Sequence, residues 1–109
     1  MKTDYEFLKV EIQNHILVVS INRPDRMNAL HPPSHSEFDQ VWNEFHENDD
    51  LWVAIITGEG ERAFCAGNDL KYQAEGGDMM LGASSGFAGI THRFNLTKPV
   101  IAAVNGVAM

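Results

Sequence analysis

A single cysteine, Cys65, occurs in the 109 residues, so no disulfide can form within the chain. Basic residues are also few: eight Lys and Arg are scattered among fifteen Asp and Glu, for a formal charge of −7. That balance argues against a nucleic-acid partner, which needs clustered positive charge, and an anionic ligand would have to be held locally. Long apolar runs are missing too. None approaches the roughly 18 residues of a membrane-crossing helix, which excludes a membrane protein of that kind. The opening residues, MKTDYE, lack the apolar centre of a signal peptide, so the cytoplasm is the default location. What remains, 44% hydrophobic and 21% charged residues, is the make-up of an ordinary globular domain with one core at most.

The order of elements is that of an α/β protein. Residues 7–11 and 16–21 alternate with β-branched enrichment and predict a hairpin turning through Gln13 and Asn14. The stretch NRPD at 22–25 is turn chemistry. In residues 34–48, Phe38, Val41, Trp42 and Phe45 fall at i, i+3, i+4 and i+7, which predicts an amphipathic helix capped by Ser34 or Ser36. Residues 51–57 and 100–104 are apolar without alternation and predict parallel strands buried on both faces, the second closed by Asn105 and Gly106. Between them, residues 73–89 hold five glycines and no firm period, so a mobile loop is expected, leading into a short helix near residues 88–95. Nothing in residues 1–109 would cover the second face of such a sheet, so the chain is expected to be the N-terminal part of a single domain.

Several short signals are weaker than they look. GASSG at 82–86 matches the G-x-S-x-G elbow of serine hydrolases, but the residues before it make a poor strand, and a loop is the better reading. GEGERA at 58–63 fits a permissive dinucleotide fingerprint and follows a strand, yet no helix opens after it to meet a pyrophosphate. His31 and His35 have i, i+4 spacing, but Pro32 and Pro33 stand between them, and no metal site is expected: His15, His31, His35, His46 and His92 read as scattered surface residues. Cys65, between Phe64 and Ala66, reads as a small buried hydrophobe with no base to activate it.

Residues 63–69, AFCAGND, are the open question. Small side chains past the C-terminal end of a buried parallel strand let a ligand approach the backbone, and amides pointing outward there can stabilise negative charge on a carbonyl oxygen, by roughly 3 kcal/mol per donor. A tight turn without a ligand explains the same residues equally well.

Three stretches taken in order weigh on the side of a ligand. INRPDRMNAL at 21–30, AFCAGNDL at 63–70 and KPVIAAVNGVA at 98–108 together resemble the N-terminal half of the enoyl-CoA hydratase/isomerase (crotonase) superfamily. Within it, GFAGIT at 86–91 and FNL at 94–96 look most like carnitinyl-CoA dehydratases and related enoyl-CoA hydratases. The resemblance implies the ClpP/crotonase fold, a superhelix of ββα units, of which this chain would hold the N-terminal part. It also implies an acyl-CoA thioester as substrate, no cofactor beyond the coenzyme A that the substrate carries, hydration or dehydration of a 2-enoyl-CoA, and assembly into trimers or dimers of trimers. By the same resemblance, the backbone N–H of Asn68 is one of two oxyanion donors, the Ala66 backbone meets the adenine, Asp69 and Leu70 complete the turn, and Arg26, Met27 and Ala29 lie along the nucleotide and pantetheine. Lys71 is placed to approach a CoA phosphate. Family members often carry a basic residue where Asp25 stands. The second oxyanion amide and the catalytic glutamates would lie beyond Met109, so the 109-residue chain alone is expected to be inactive. The alternative is a crotonase-fold protein that binds CoA esters or a partner without turnover.

Overall fold

A computed structural model describes residues 1–77 and 85–109. Its centre is a four-stranded sheet. β1 (Leu8–Gln13) pairs antiparallel with β2 (Ile16–Ile21), and Asn14 turns the hairpin in the left-handed region at φ 57°. The turn therefore sits one residue later than expected. Helix α1 (Pro32–Glu47) then crosses over to β3 (Val53–Gly58), which lies parallel to β2 and to β5 (Val100–Ala102), in the order β1, β2, β3, β5. A second, two-stranded parallel sheet joins β4 (Ala63–Cys65) to β6 (Val107–Ala108). Neither of these short strands was expected. Between β4 and β5 lie the five-residue helix α2 (Leu70–Ala74) and a 3-10 turn, Phe87–Gly89. That turn stands where a helix over 88–95 was expected; Ala88 lies at φ 54°, ψ 23°, which interrupts any regular helix.

The core is one layer deep. Phe38, Val41, Trp42 and Phe45 line the inner face of α1 and are fully buried against Leu8, Val10, Leu17, Val19, Ile21 and Ala54 of the sheet. This is the stripe read from the sequence. The helix begins earlier than expected, because Pro32 and Pro33 are its first residues rather than a barrier before it: a proline there lacks only an N–H that would be unpaired anyway. The N-cap is His31, with Ser34 in the third position closing a reciprocal box; the Ser34 hydroxyl accepts the His31 N–H at 2.8 Å and lies 2.9 Å from His31 Nδ1. At the other end Lys98 Nζ donates to the carbonyls of Phe45 and Asn48 at 2.6 and 2.7 Å, a cation on the negative end of the helix.

Two expectations about burial are corrected. Strands β3 and β5 are not covered on both faces: α1 lies on one side only, so most of β3 is half-buried and Ile101 of β5 is 54% exposed. The histidines are not all on the surface either. His31 and His35 are buried, because starting the helix at Pro32 turns both inward, while His15 and His92 are exposed as expected. Gly82 and Ser84 of the G-x-S-x-G stretch, and with them much of the loop expected over 73–89, lie outside the described residues.

Candidate functional site

Gly58 ends β3, and the chain runs through residues 59–62 into a strand, so the G-x-G-x-x-A stretch opens no helix. The turn after it is held by two buried or half-buried asparagines. Asn105 Nδ2 donates to the carbonyls of Gly58 and Gly60, both at 2.9 Å, and its Oδ1 accepts the Gly58 N–H at 3.1 Å. Asn28 Nδ2 donates to the Ala63 carbonyl at 2.8 Å, and its Oδ1 accepts the Arg23 N–H at 2.9 Å. These side chains supply the pairing that an irregular backbone cannot give itself.

Beyond β4 the residues of AFCAGND come together with those of INRPDRMNAL. The Ala66 N–H donates to the Met27 carbonyl at 3.2 Å. Gly67 takes φ +94°, a conformation suited to glycine. Leu30 then forms an isolated parallel bridge with Asn68: the Leu30 N–H donates to the Gly67 carbonyl at 2.8 Å, and the Asp69 N–H donates to the Leu30 carbonyl at 2.9 Å. In a parallel bridge of this kind the residue opposite uses its two neighbours, and its own N–H and C=O point away. Among the described residues the Asn68 N–H accordingly has no acceptor, and Asn68 is exposed. The Ala66 carbonyl likewise accepts from none of them.

Asp69 anchors the far side. Its carboxylate caps α2 by accepting the Tyr72 N–H at 2.9 Å, and it accepts from Arg23 Nη2 at 2.9 Å and from Arg26 Nη1 at 3.1 and 3.3 Å. Burial pushes this carboxyl up, but the Tyr72 amide and the two guanidinium groups outweigh it and hold it below the ordinary carboxylate range. Arg23 is itself buried, and its Nη1 donates to the Ala29 carbonyl. Ala29 and Asp69 thus face inward, with their polar atoms engaged. Met27 and Arg26 are half-buried, while Leu70 and Lys71 are exposed on α2. A cleft of about 80 Å³ beside this turn is lined by Pro24, Met27, Asn28 and residues 59–63, and reaches neither Ala66 nor Asn68.

The neighbouring cysteine and histidines are buried. Cys65 is buried; burial pushes its thiol up, offset in part by the Gly67 N–H at 3.4 Å from its sulfur. His31 packs edge-on against both Phe7 and Tyr72, and burial, aided by Arg23, lowers its pKa to about 4. His35 is lowered by burial and accepts the Ala88 N–H. Among the described residues no group of His, Cys, Asp and Glu could hold a metal ion, and no helix is long and apolar enough to cross a membrane. In the sequence Arg23, Asn28 and Asn105 read only as parts of turns or of the stretches that carry the resemblance, without a role of their own; their partners lie up to 47 residues away.

The Enoyl-CoA hydratase/isomerase family matches residues 11–109. A carnitinyl-CoA dehydratase of Proteus mirabilis is 47% identical over 103 residues, which cover 93% of this chain and 39% of that protein. An (E)-benzylidenesuccinyl-CoA hydratase of Thauera aromatica is 35% identical over 102 residues, covering 92% and 40%. Among solved structures, a carnitinyl-CoA hydratase from Mycobacterium avium superposes with a TM-score of 0.85 at 35% identity, over 94% of this chain and 40% of that one. The chain thus spans about two fifths of the length of these relatives.

Proposed function

This chain belongs to the enoyl-CoA hydratase/isomerase family and has the crotonase fold, and from that footing we propose that it supplies the first oxyanion donor and part of the CoA cradle of an enoyl-CoA hydratase. The reaction adds water across the double bond of a 2-enoyl thioester, hydroxyl to the β carbon and proton to the α carbon, or reverses this. Negative charge collects on the thioester oxygen as the enolate forms. An amide already aimed at that oxygen stabilises it without reorganisation, by roughly 3 kcal/mol.

The observation that carries the reading is the Asn68 N–H, which is left without an acceptor among the described residues while the amides around it, at Ala66 and Asp69, are paired. Exposed, and turned outward by the bridge to Leu30, that donor is open to a ligand oxygen. Nearby, the open Ala66 carbonyl suits the exocyclic amine of an adenine, and the exposed Lys71 is free to approach a phosphate on an otherwise acidic protein. Arg26 and Met27 would flank the nucleotide, although the Arg26 charge is shared with Asp69. Carboxylates that move water and protons, and the second amide, would come from the sequence that the longer relatives have and this chain does not contain, so the 109-residue chain alone should not hydrate crotonyl-CoA. Trimers or dimers of trimers are the assembly this reading implies.

The test removes the amide without removing the side-chain position. In the complete protein Asn68→Pro, which deletes the N–H, should lower kcat by about 100-fold or more, whereas Asn68→Ala, which keeps it, should stay within a few fold. Thermal melting of both variants checks that the turn survives. Equal losses in two folded variants would refute the assignment.

A further inference from the structure

Asp69 follows Asn68 directly, and only 3% of its side chain is exposed. A buried negative charge beside an amide that must meet a developing negative charge opposes the reaction unless it is neutralised. It is met twice, by Arg23 and by Arg26, so the three side chains together carry one positive charge. The two arginines differ in surroundings. Arg26 is 27% exposed and, among the described residues, its guanidinium hydrogen-bonds to the carboxylate alone, whereas Arg23 is 8% exposed and reaches in two directions, with Nη2 to Asp69 and Nη1 to the Ala29 carbonyl. Ala29 precedes Leu30, the residue whose bridge leaves the Asn68 amide free. One planar fork therefore holds the backbone just before the bridge and the carboxylate just after the amide, and a planar guanidinium sets both directions at once.

We propose that Arg23 is a positioning residue for the Asn68 amide: its grip on Ala29 and Asp69 sets the direction of the Asn68 N–H, and its charge, added to that of Arg26, leaves a net positive charge beside it. The proposal rests on the reading of Asn68 as an oxyanion donor. It does not require Arg23 to touch substrate. A lysine in its place offers a charge without the fork, so it can restore the net positive charge beside the amide but not the two-way hold.

The experiment uses the complete protein and butyryl-CoA isotope-labelled at the thioester carbonyl, a saturated probe that binds without being hydrated. Infrared difference spectra read the downshift of the bound carbonyl, which reports the strength of the amide contacts to its oxygen. In Arg23→Met the downshift should shrink and kcat for crotonyl-CoA should fall roughly tenfold to a hundredfold, with KM changed far less. Arg23→Lys should lie between that variant and the wild type, and it stands in should Arg23→Met fail to fold. A folded variant of either kind with wild-type downshift and wild-type kcat overturns the proposal. So does a lower melting temperature with an unchanged downshift, which marks a merely structural ion pair. Absence of any downshift in the wild-type protein overturns the reading of Asn68 itself, and the proposal with it.

Discussion

His35 and Ala88 meet across 53 residues of sequence: the Ala88 N–H donates to His35 Nδ1 at 2.9 Å inside the core. Two turns further along α1, Trp42 Nε1 donates to the carbonyl of the same Ala88 at 2.8 Å. Both polar groups of a left-handed residue are thus satisfied by one helix, which is how a strained turn can be seated on an apolar surface.

Removing the acceptor should be costly. His35→Leu strands a buried N–H and should lower stability by about 1–3 kcal/mol, whereas His35→Asn, which keeps an acceptor near the same place, should lose less. Urea unfolding of the two variants checks this; equal midpoints would show that the contact contributes nothing.

Acid should destabilise the fold before the carboxylates titrate. His31 is held at about 4, against an ordinary 6.5, by burial and by Arg23. The unfolded chain takes up this proton as pH falls through 6.5, and the folded chain does so only near 4. Stability is therefore complete above about pH 6.5 and declines below it, by about 1.4 kcal/mol per pH unit at most for this histidine, levelling off near pH 4. His35 is shifted in the same direction and steepens the decline. Asp69, held below its ordinary range, adds a further loss at lower pH. Melting temperatures from pH 7.5 to 4 should trace this slope, and His31→Gln should flatten it.

Two glycines of one loop should respond differently to alanine. At Gly58 an added Cβ would lie 2.6 Å from the Phe64 carbonyl oxygen and 2.7 Å from that of Ala63, both backbone atoms that cannot swing aside. Gly60 has open space but φ +86°. Gly58→Ala should cost about 3 kcal/mol or more by overpacking, and Gly60→Ala about 1 kcal/mol by strain alone. Urea midpoints in the reverse order would contradict this account.

Cys65 should be slow toward thiol reagents. It is buried, and its thiol is pushed up in pKa, so little thiolate forms or is reachable. A chromogenic disulfide should label it only as fast as the protein opens, with a steep rise across the unfolding transition.

What the sequence made legible follows from the range over which the responsible forces act. The α1 stripe and the β1–β2 hairpin depend on neighbours within a few residues, and both were read almost to the boundary. Cys65 was rightly read as buried from its apolar flanks. Strand β4 escaped notice because three residues become a strand only by pairing with Val107 and Ala108. The depth of His31 and His35 was misread because it turns on where α1 starts, and the two prolines, which usually interrupt a helix, here begin it. In the site, the glycine of AFCAGND could be recognised as a place of backbone approach, but the spare amide at Asn68 depends on Leu30 bridging to both sides of it, and the Arg23–Asp69 pair spans 46 residues. No local pattern encodes such partners.

That separation has a kinetic side. Closing the Asn68 turn requires Leu30 to find residues 67 and 69, Arg23 to find Asp69, and Asn105 to find Gly58, each across a loop of dozens of residues. The entropy of closing such loops is lost before their contacts repay it, while the hairpin closes over a two-residue turn. The turn should therefore assemble after the hairpin and helix, and open first. Amide exchange should find Leu30 and Asp69 less protected than Val19, and a ligand that bridges Asn68 and Ala66 would close, from outside, the loops that the chain itself closes last.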